Sequence, residues 1–139
     1  MPANPTPNIL SRQNKPITQP KVIVVTANKT LRAADDGSVV IFDTTTSVTV
    51  TLPPARKGMS FRFFVKQIGA STGHVVAVTG ATPVMLGKVS PTGAAAAATA
   101  GKGRINTNAT ATVGDGLFVV SHNGTDWSSD PTGTWATQP

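Results

Sequence analysis

His74 and His122 are the only imidazoles in a chain of 139 residues that has no cysteine and no glutamate. Histidine, cysteine and acidic side chains supply most metal ligands, and neither histidine has such a neighbour at ligand spacing, so no zinc or iron site is expected. Ser121-His122-Asn123-Gly124-Thr125-Asp126 holds all three residue types of a hydrolytic triad. Triad members meet in space from separate elements, however, and no Gly-x-Ser-x-Gly elbow is present, so this segment reads as a strand running into an Asn-Gly turn. Asp35 and Asp36 are adjacent carboxylates, the raw material of acid–base pairs, but they precede Gly37, where aspartate serves local backbone hydrogen bonds. Gly101-Lys102-Gly103 is a fragment of a phosphate loop without its remaining glycine and trailing hydroxyl residue. These residues point to no catalytic site, no cofactor and no metal, and the expectation is a protein that is not an enzyme.

The elements that carry them are strands. All six acids are aspartate, leucine is scarce, and threonine and valine are abundant, a composition that suits pleated sheets rather than helices. With no cysteine there is no disulfide framework. The N-terminus lacks the basic patch and apolar stretch of a secretory signal, and the run Ala94–Ala98 is far too short to span a bilayer, so a chain made in a cytoplasm with no membrane contact is expected.

Charge is unevenly spread. Twelve Lys and Arg face six acids, for a net charge of +6. Residues 1–34 hold Arg12, Lys15, Lys21, Lys29 and Arg32 without a single acid, while the remainder is nearly balanced. Pro2, Pro5, Pro7, Pro16 and Pro20 fall in the same segment and forbid a regular helix. Residues 1–20 therefore read as an extended basic arm, reaching about 65 Å if fully stretched. Ile9, Leu10 and Ile17 are apolar anchors a mere linker would not need, and with Arg12, Lys15 and Lys21 they form a docking segment for an acidic protein surface.

From residue 21 to residue 139 a single β domain is expected. Val48, Val50 and Leu52 alternate with Thr49 and Thr51, and Phe61, Phe63 and Val65 alternate with Arg62, Phe64 and Lys66. The first three of each set are the predicted core. Further strands are expected at 22–26, 38–43, 74–79, 84–89, 104–107, 109–113, 117–122 and around Trp127, with Asp36-Gly37, Asp115-Gly116 and Asn123-Gly124 as hairpin turns. Residues 90–103 (SPTGAAAAATAGKG) read as a long Gly/Ala-rich surface loop. The fold class is all-β, an antiparallel β-sandwich or jelly-roll-like barrel with an extended N-terminal arm. Arg62, Phe64 and Lys66 on one strand face are the best nucleic-acid feature, but an aromatic content of 5% argues against that partner.

The order of signals from Val22 to Trp135 resembles small β-sandwich modules of phage virions. It runs from Thr26-Ala27-Asn28 through Asp36-Gly37, Thr51-Leu52-Pro53, and Gly58 with Phe61-x-Phe63. It continues with Val113-Gly114-Asp115-Gly116 and Asn123-Gly124-Thr125-Asp126-Trp127, and ends at Gly133-Thr134-Trp135. The resemblance to capsid decoration (cement) proteins implies a homotrimer on the outer surface of the head, assembled in the host cytoplasm, that clamps neighbouring subunits of the major capsid protein. The Ala94–Ala98 insertion has no part in that order. Similar modules occur in tail fibres and tailspikes, which implies the rival expectation of receptor or glycan binding, with Trp127 and Trp135 as the stacking residues.

Overall fold

The computed structural model describes residues 19–93 and 95–139. Ile9, Leu10, Arg12, Lys15 and Ile17, and with them nearly all of the expected arm, lie outside the described residues.

Eleven strands and one short 3-10 turn make up the regular structure among the described residues. The chain alternates between two sheets: β1 (Val22–Val25) in the first, β2 (Lys29–Thr30) in the second, then β3 (Val39–Phe42), β4 (Thr49–Thr51), β5 (Ser60–Val65) and β6 (Gly73–Ala77) in the same alternation. Strands one coil apart therefore lie parallel: β1 on β3 and β3 on β5 in one sheet, β2 on β4 and β4 on β6 in the other. The rest closes the structure. In the first sheet β9 (Gly116–Val120) runs antiparallel to β5, β10 (Trp127–Pro131) antiparallel to β9, and β7 (Met85–Gly87) parallel to β10. In the second sheet β8 (Arg104–Thr107) runs antiparallel to β6, and β11 (Ala136–Thr137) antiparallel to β8.

The result is a β-sandwich of two mixed sheets. The expected all-antiparallel pairing is thus corrected. Of the three turn dipeptides, Asn123-Gly124 alone joins antiparallel neighbours, β9 and β10. Asp36-Gly37 instead turns the chain from the 3-10 turn (Ala33–Asp35) into β3, whose neighbours are parallel. Residues 109–113, expected as a strand, form a turn: the Thr107 carbonyl accepts from the amides of Thr110 and Ala111, and Val113 is exposed.

The core lies between the sheets. Val48, Val50, Leu52, Phe61, Phe63 and Val65 are all buried, together with Val40, Phe42, Leu117 and Val119. Phe61 packs at a tilt against Trp127, with centroids 6.0 Å apart, and Phe42 of the first sheet stacks on His74 of the second at 4.5 Å. His74, near the start of β6, is buried within the sandwich.

Residues 90–103 do more than loop over the surface. The amides of Ala96 and Ala98 donate to the carbonyls of Gly87 and Met85, so this segment runs back along the outer edge of β7, and Ala98 enters the core. Gly87, at φ +92°, lets β7 lie close to β10, since a Cβ there would clash with the Ser129 carbonyl.

Candidate functional site

The two outer faces of the sandwich differ. The second sheet turns outward Thr49 and Thr51 of β4, Val75 and Ala77 of β6, and Ile105 and Thr107 of β8, all half-buried. The first sheet turns outward an apolar array fixed by strand register. One row across the sheet runs Val22, Val39, Arg62, Phe118, Asp130; the next runs Val24, Ile41, Phe64, Gly116. Val22, Val24 and Phe64 are 57%, 55% and 42% exposed.

Alternation explains the placement. Ile23 and Val25 of β1, and Val40 and Phe42 of β3, face the core, so in the runs Val-Ile-Val-Val and Val-Val-Ile-Phe the intervening residues point the other way. Uninterrupted apolar runs are the mark of parallel strands covered on both faces. Here one face is covered by the second sheet, and among the described residues nothing covers the other.

A hollow of about 490 Å³ interrupts the array. Gly116 contributes no side chain in the row beside Phe64, and Phe64, Phe118, Arg62, Asp130 and Thr132 surround the gap. The Arg62 guanidinium lies 4.6 Å from the centre of the Phe118 ring, a cation–π contact that orients the cation beside the hollow. Lys66, on the same strand face, is held by the Asp43 carboxylate at 2.8 Å, and the Gln67 amide donates to the other oxygen at 2.6 Å. These donors lower the Asp43 pKa, the Lys66 hydrogen bond most of all.

Lys21, assigned by its sequence position to the docking segment, pairs with Asp35 at 2.6 Å. That bond is the main reason the Asp35 carboxyl titrates below its usual range, aided by the Arg32 amide. Asp35 serves a local bond, accepting from the Arg32 amide at the 3-10 turn, whereas Asp36 accepts from the Ser60 amide of β5, 24 residues away. They do not face one another as an acid–base pair. His122 is exposed, and Asp126 is engaged with the Val84 amide and Asn123. Among the described residues no group of three or more His, Cys, Asp or Glu side chains could hold a metal ion. No helix of the structure is long and apolar enough to cross a membrane.

Trp127 and Trp135 are 0% and 2% exposed, so neither can stack on a sugar at the surface, which removes both stacking residues of the rival expectation. Trp135 instead donates its indole N–H to the Gly116 carbonyl at 3.0 Å.

Sequence reasoning missed Arg104. Its guanidinium is fully buried, and no carboxylate pairs with it among the described residues. Nε donates to the Ser129 hydroxyl at 2.9 Å, and one terminal nitrogen donates to the carbonyls of Leu86, Gly87 and Ala96 at 3.1, 3.1 and 2.6 Å. Burial lowers its pKa. It acts as a clamp, tying β8 of one sheet to β7 of the other and to the segment that covers β7.

Compared with known proteins, the chain matches no family model, no curated protein and no solved structure.

Proposed function

We propose that the chain is a structural virion protein that binds the outside of a phage capsid and stabilises it by bridging neighbouring subunits of the major capsid protein, as a homotrimer. The observation that carries this reading is the uncovered apolar face of the first sheet, from Val22 and Val24 across Ile41 to Phe64. Contiguous exposed apolar surface with a polar rim is the signature of a protein–protein contact. The basic Pro-rich segment 1–20 adds a second attachment, with Ile9, Leu10 and Ile17 entering apolar sites and Arg12 and Lys15 meeting acidic groups. Surface ion pairs are worth only about 0–1 kcal/mol each. Three segments on one trimer nevertheless act together, and such multivalency raises affinity by roughly 10²–10⁴. A head under internal pressure opens where capsomers part, and a cap that spans them adds contacts that must break together.

The copy number of the chain per purified particle tests this. Hundreds of copies, in a simple ratio to the major capsid protein, are expected; absence from the particle refutes the reading. Deleting residues 1–20 is expected to leave a folded sandwich that no longer binds heads, and Phe64→Asp to weaken binding without unfolding the chain.

A second reading, a tail module binding a host receptor or glycan, is favoured by one feature. The hollow between Phe64 and Phe118 carries Arg62 and Asp130 at its rim, an aromatic and polar pairing suited to a sugar ring. A copy number of a few to a few dozen per particle would favour it.

A further inference from the structure

The outer face of the first sheet carries a pattern beyond its apolar character. Across β5, β9 and β10 one row reads Arg62, Phe118, Asp130, and the next reads Phe64, Gly116, Thr132. The first row is a cation, an aromatic ring and an anion. Arg62 and Asp130 are both exposed, and among the described residues neither is in an ion pair. The second row is a large ring, no side chain and a small one. Phe64 stands exposed on one side of β9, and the hollow beside it is lined by Gly116 and, on the other side of β9, by Thr132.

Each row is complementary to itself reversed. A twofold axis lying above β9 and along the strand keeps every row opposite itself and reverses its order. Arg62 then faces the second copy's Asp130, and Asp130 the second copy's Arg62. Phe64 faces the side of the second copy where Gly116 and Thr132 leave room, so that one ring enters one hollow on each side of the axis. Phe118 meets its own equivalent at the centre. Contacts about such an axis are isologous, so each of these matches is made twice. An axis along a strand also sets the two sheets nearly aligned, the ordinary way in which one sheet packs face to face on another.

We propose that two copies of the chain pair face to face through this surface, about that axis. Charge and shape together select the occupant. Residues 1–20, which precede β1, hold Arg12 and Lys15 but no acid and no aromatic residue, so they bring no anion to Arg62 and no ring to the hollow. A second copy brings an acid to the cation, a cation to the acid and a ring to the hollow, all at positions that strand register fixes. The contact closes at two copies and is separate from any threefold one. It does not depend on the virion reading. The pair is the form of the free chain, in which the face proposed to meet capsid subunits is covered by a copy of itself, and heads compete for that face.

The test uses the full chain in solution, without capsids, so its failure leaves the virion reading intact. Arg62→Asp and Asp130→Arg, each alone, set like charges against one another across the axis, and both sites are exposed, so the fold of each chain is kept. Sedimentation is expected to give each single variant half the mass of the parent chain. Phe64→Ala, which leaves the opposite hollow unfilled, is expected to halve the mass too. Two rescues separate this contact from any other role of these residues. Arg62→Asp combined with Asp130→Arg in one chain sets opposite charges across the axis again and is expected to restore the parent mass. An equimolar mixture of the two single variants is expected to do the same, since each chain carries at both sites the charge the other lacks. A mass that neither single variant changes overturns the proposal, and is the result if the N-terminal segment, or nothing, covers the face. Halved masses that neither the combined variant nor the mixture restores overturn it as well.

Discussion

Replacing Arg104 by methionine keeps most of the buried stem and deletes the guanidinium. The cost follows from what each former acceptor retains. The Leu86 carbonyl keeps the Ser129 hydroxyl at 3.0 Å, and the Gly87 carbonyl keeps the Ala96 amide at 2.9 Å. The Ala96 carbonyl, held by Arg104 at 2.6 Å, has no second donor among the described residues. Leaving one such group unmet costs about 1–3 kcal/mol. Removing a cation that no carboxylate neutralises offsets part of that, because its desolvation is relieved, and one of its terminal nitrogens is unpartnered in any case. The expected net loss is about 1–2 kcal/mol, a fall in Tm of roughly 3–7 °C at this chain length. The damage should be local, since the clamp holds the segment over β7. Amide exchange at Ala96 and Ala98 is therefore expected to accelerate well before exchange in β3 or β5. Global unfolding of the variant, or unchanged protection at Ala96 and Ala98, would refute the clamp.

Other expectations concern the core and pH. Phe61→Ala, which empties a fully buried site against Trp127, is expected to cost about 3–5 kcal/mol, measured by urea unfolding; a loss below 1 kcal/mol would mean that the site collapses around the gap. Burial holds the His74 pKa below its ordinary 6.5, outweighing the Gln67 carbonyl that accepts from Nε2. The unfolded chain thus takes up a proton first as pH falls, so the stability this residue contributes is complete above about pH 6.5 and declines below it, by at most about 1.4 kcal/mol per pH unit. Asp35, Asp43 and Asp126, whose pKa values are lowered from 3.8, add a further loss only as pH falls below about 4. Urea midpoints across pH should show both stages, and His74→Gln should remove the upper one.

Alternation made much of the fold legible. Val48, Val50 and Leu52, and Phe61, Phe63 and Val65, announce their inward faces, and by the same period Arg62 and Phe64 announce an outward one. Pairing direction was not legible, because a period of two is the same whichever way the neighbouring strand runs. Asp36-Gly37 marks a turn without saying whether the next strand returns beside the last or crosses to the other sheet. Hydropathy also misleads in β8, where Ile105 looks like the inward residue; the buried ones are Arg104 and Asn106, since carbonyls of β7, Ala96 and Thr134, and the Asp115 carboxylate, await their donors. The outward array shows in sequence only as apolar runs too continuous for a one-faced strand, in Val22–Val25 and Val39–Phe42.

The coiled path of the first six strands bears on the order in which the molecule forms. Val22 pairs with Val39 and Val39 with Arg62, so each coil needs only the one before it, and loop closure stays cheap. Synthesis delivers these strands in the order in which they stack, as in solenoids, where structure propagates between neighbours. The remaining strands obey a different rule, since Phe61 waits for Val119 and Met85 for Trp127. The nascent chain thus completes a partial sandwich whose β5 edge, with Phe61 and Phe63 unsheltered, persists until the last third of the sequence arrives. In a chain cut off before β9, the β5 edge would stand open, and exposed strand edges are where partly folded chains aggregate.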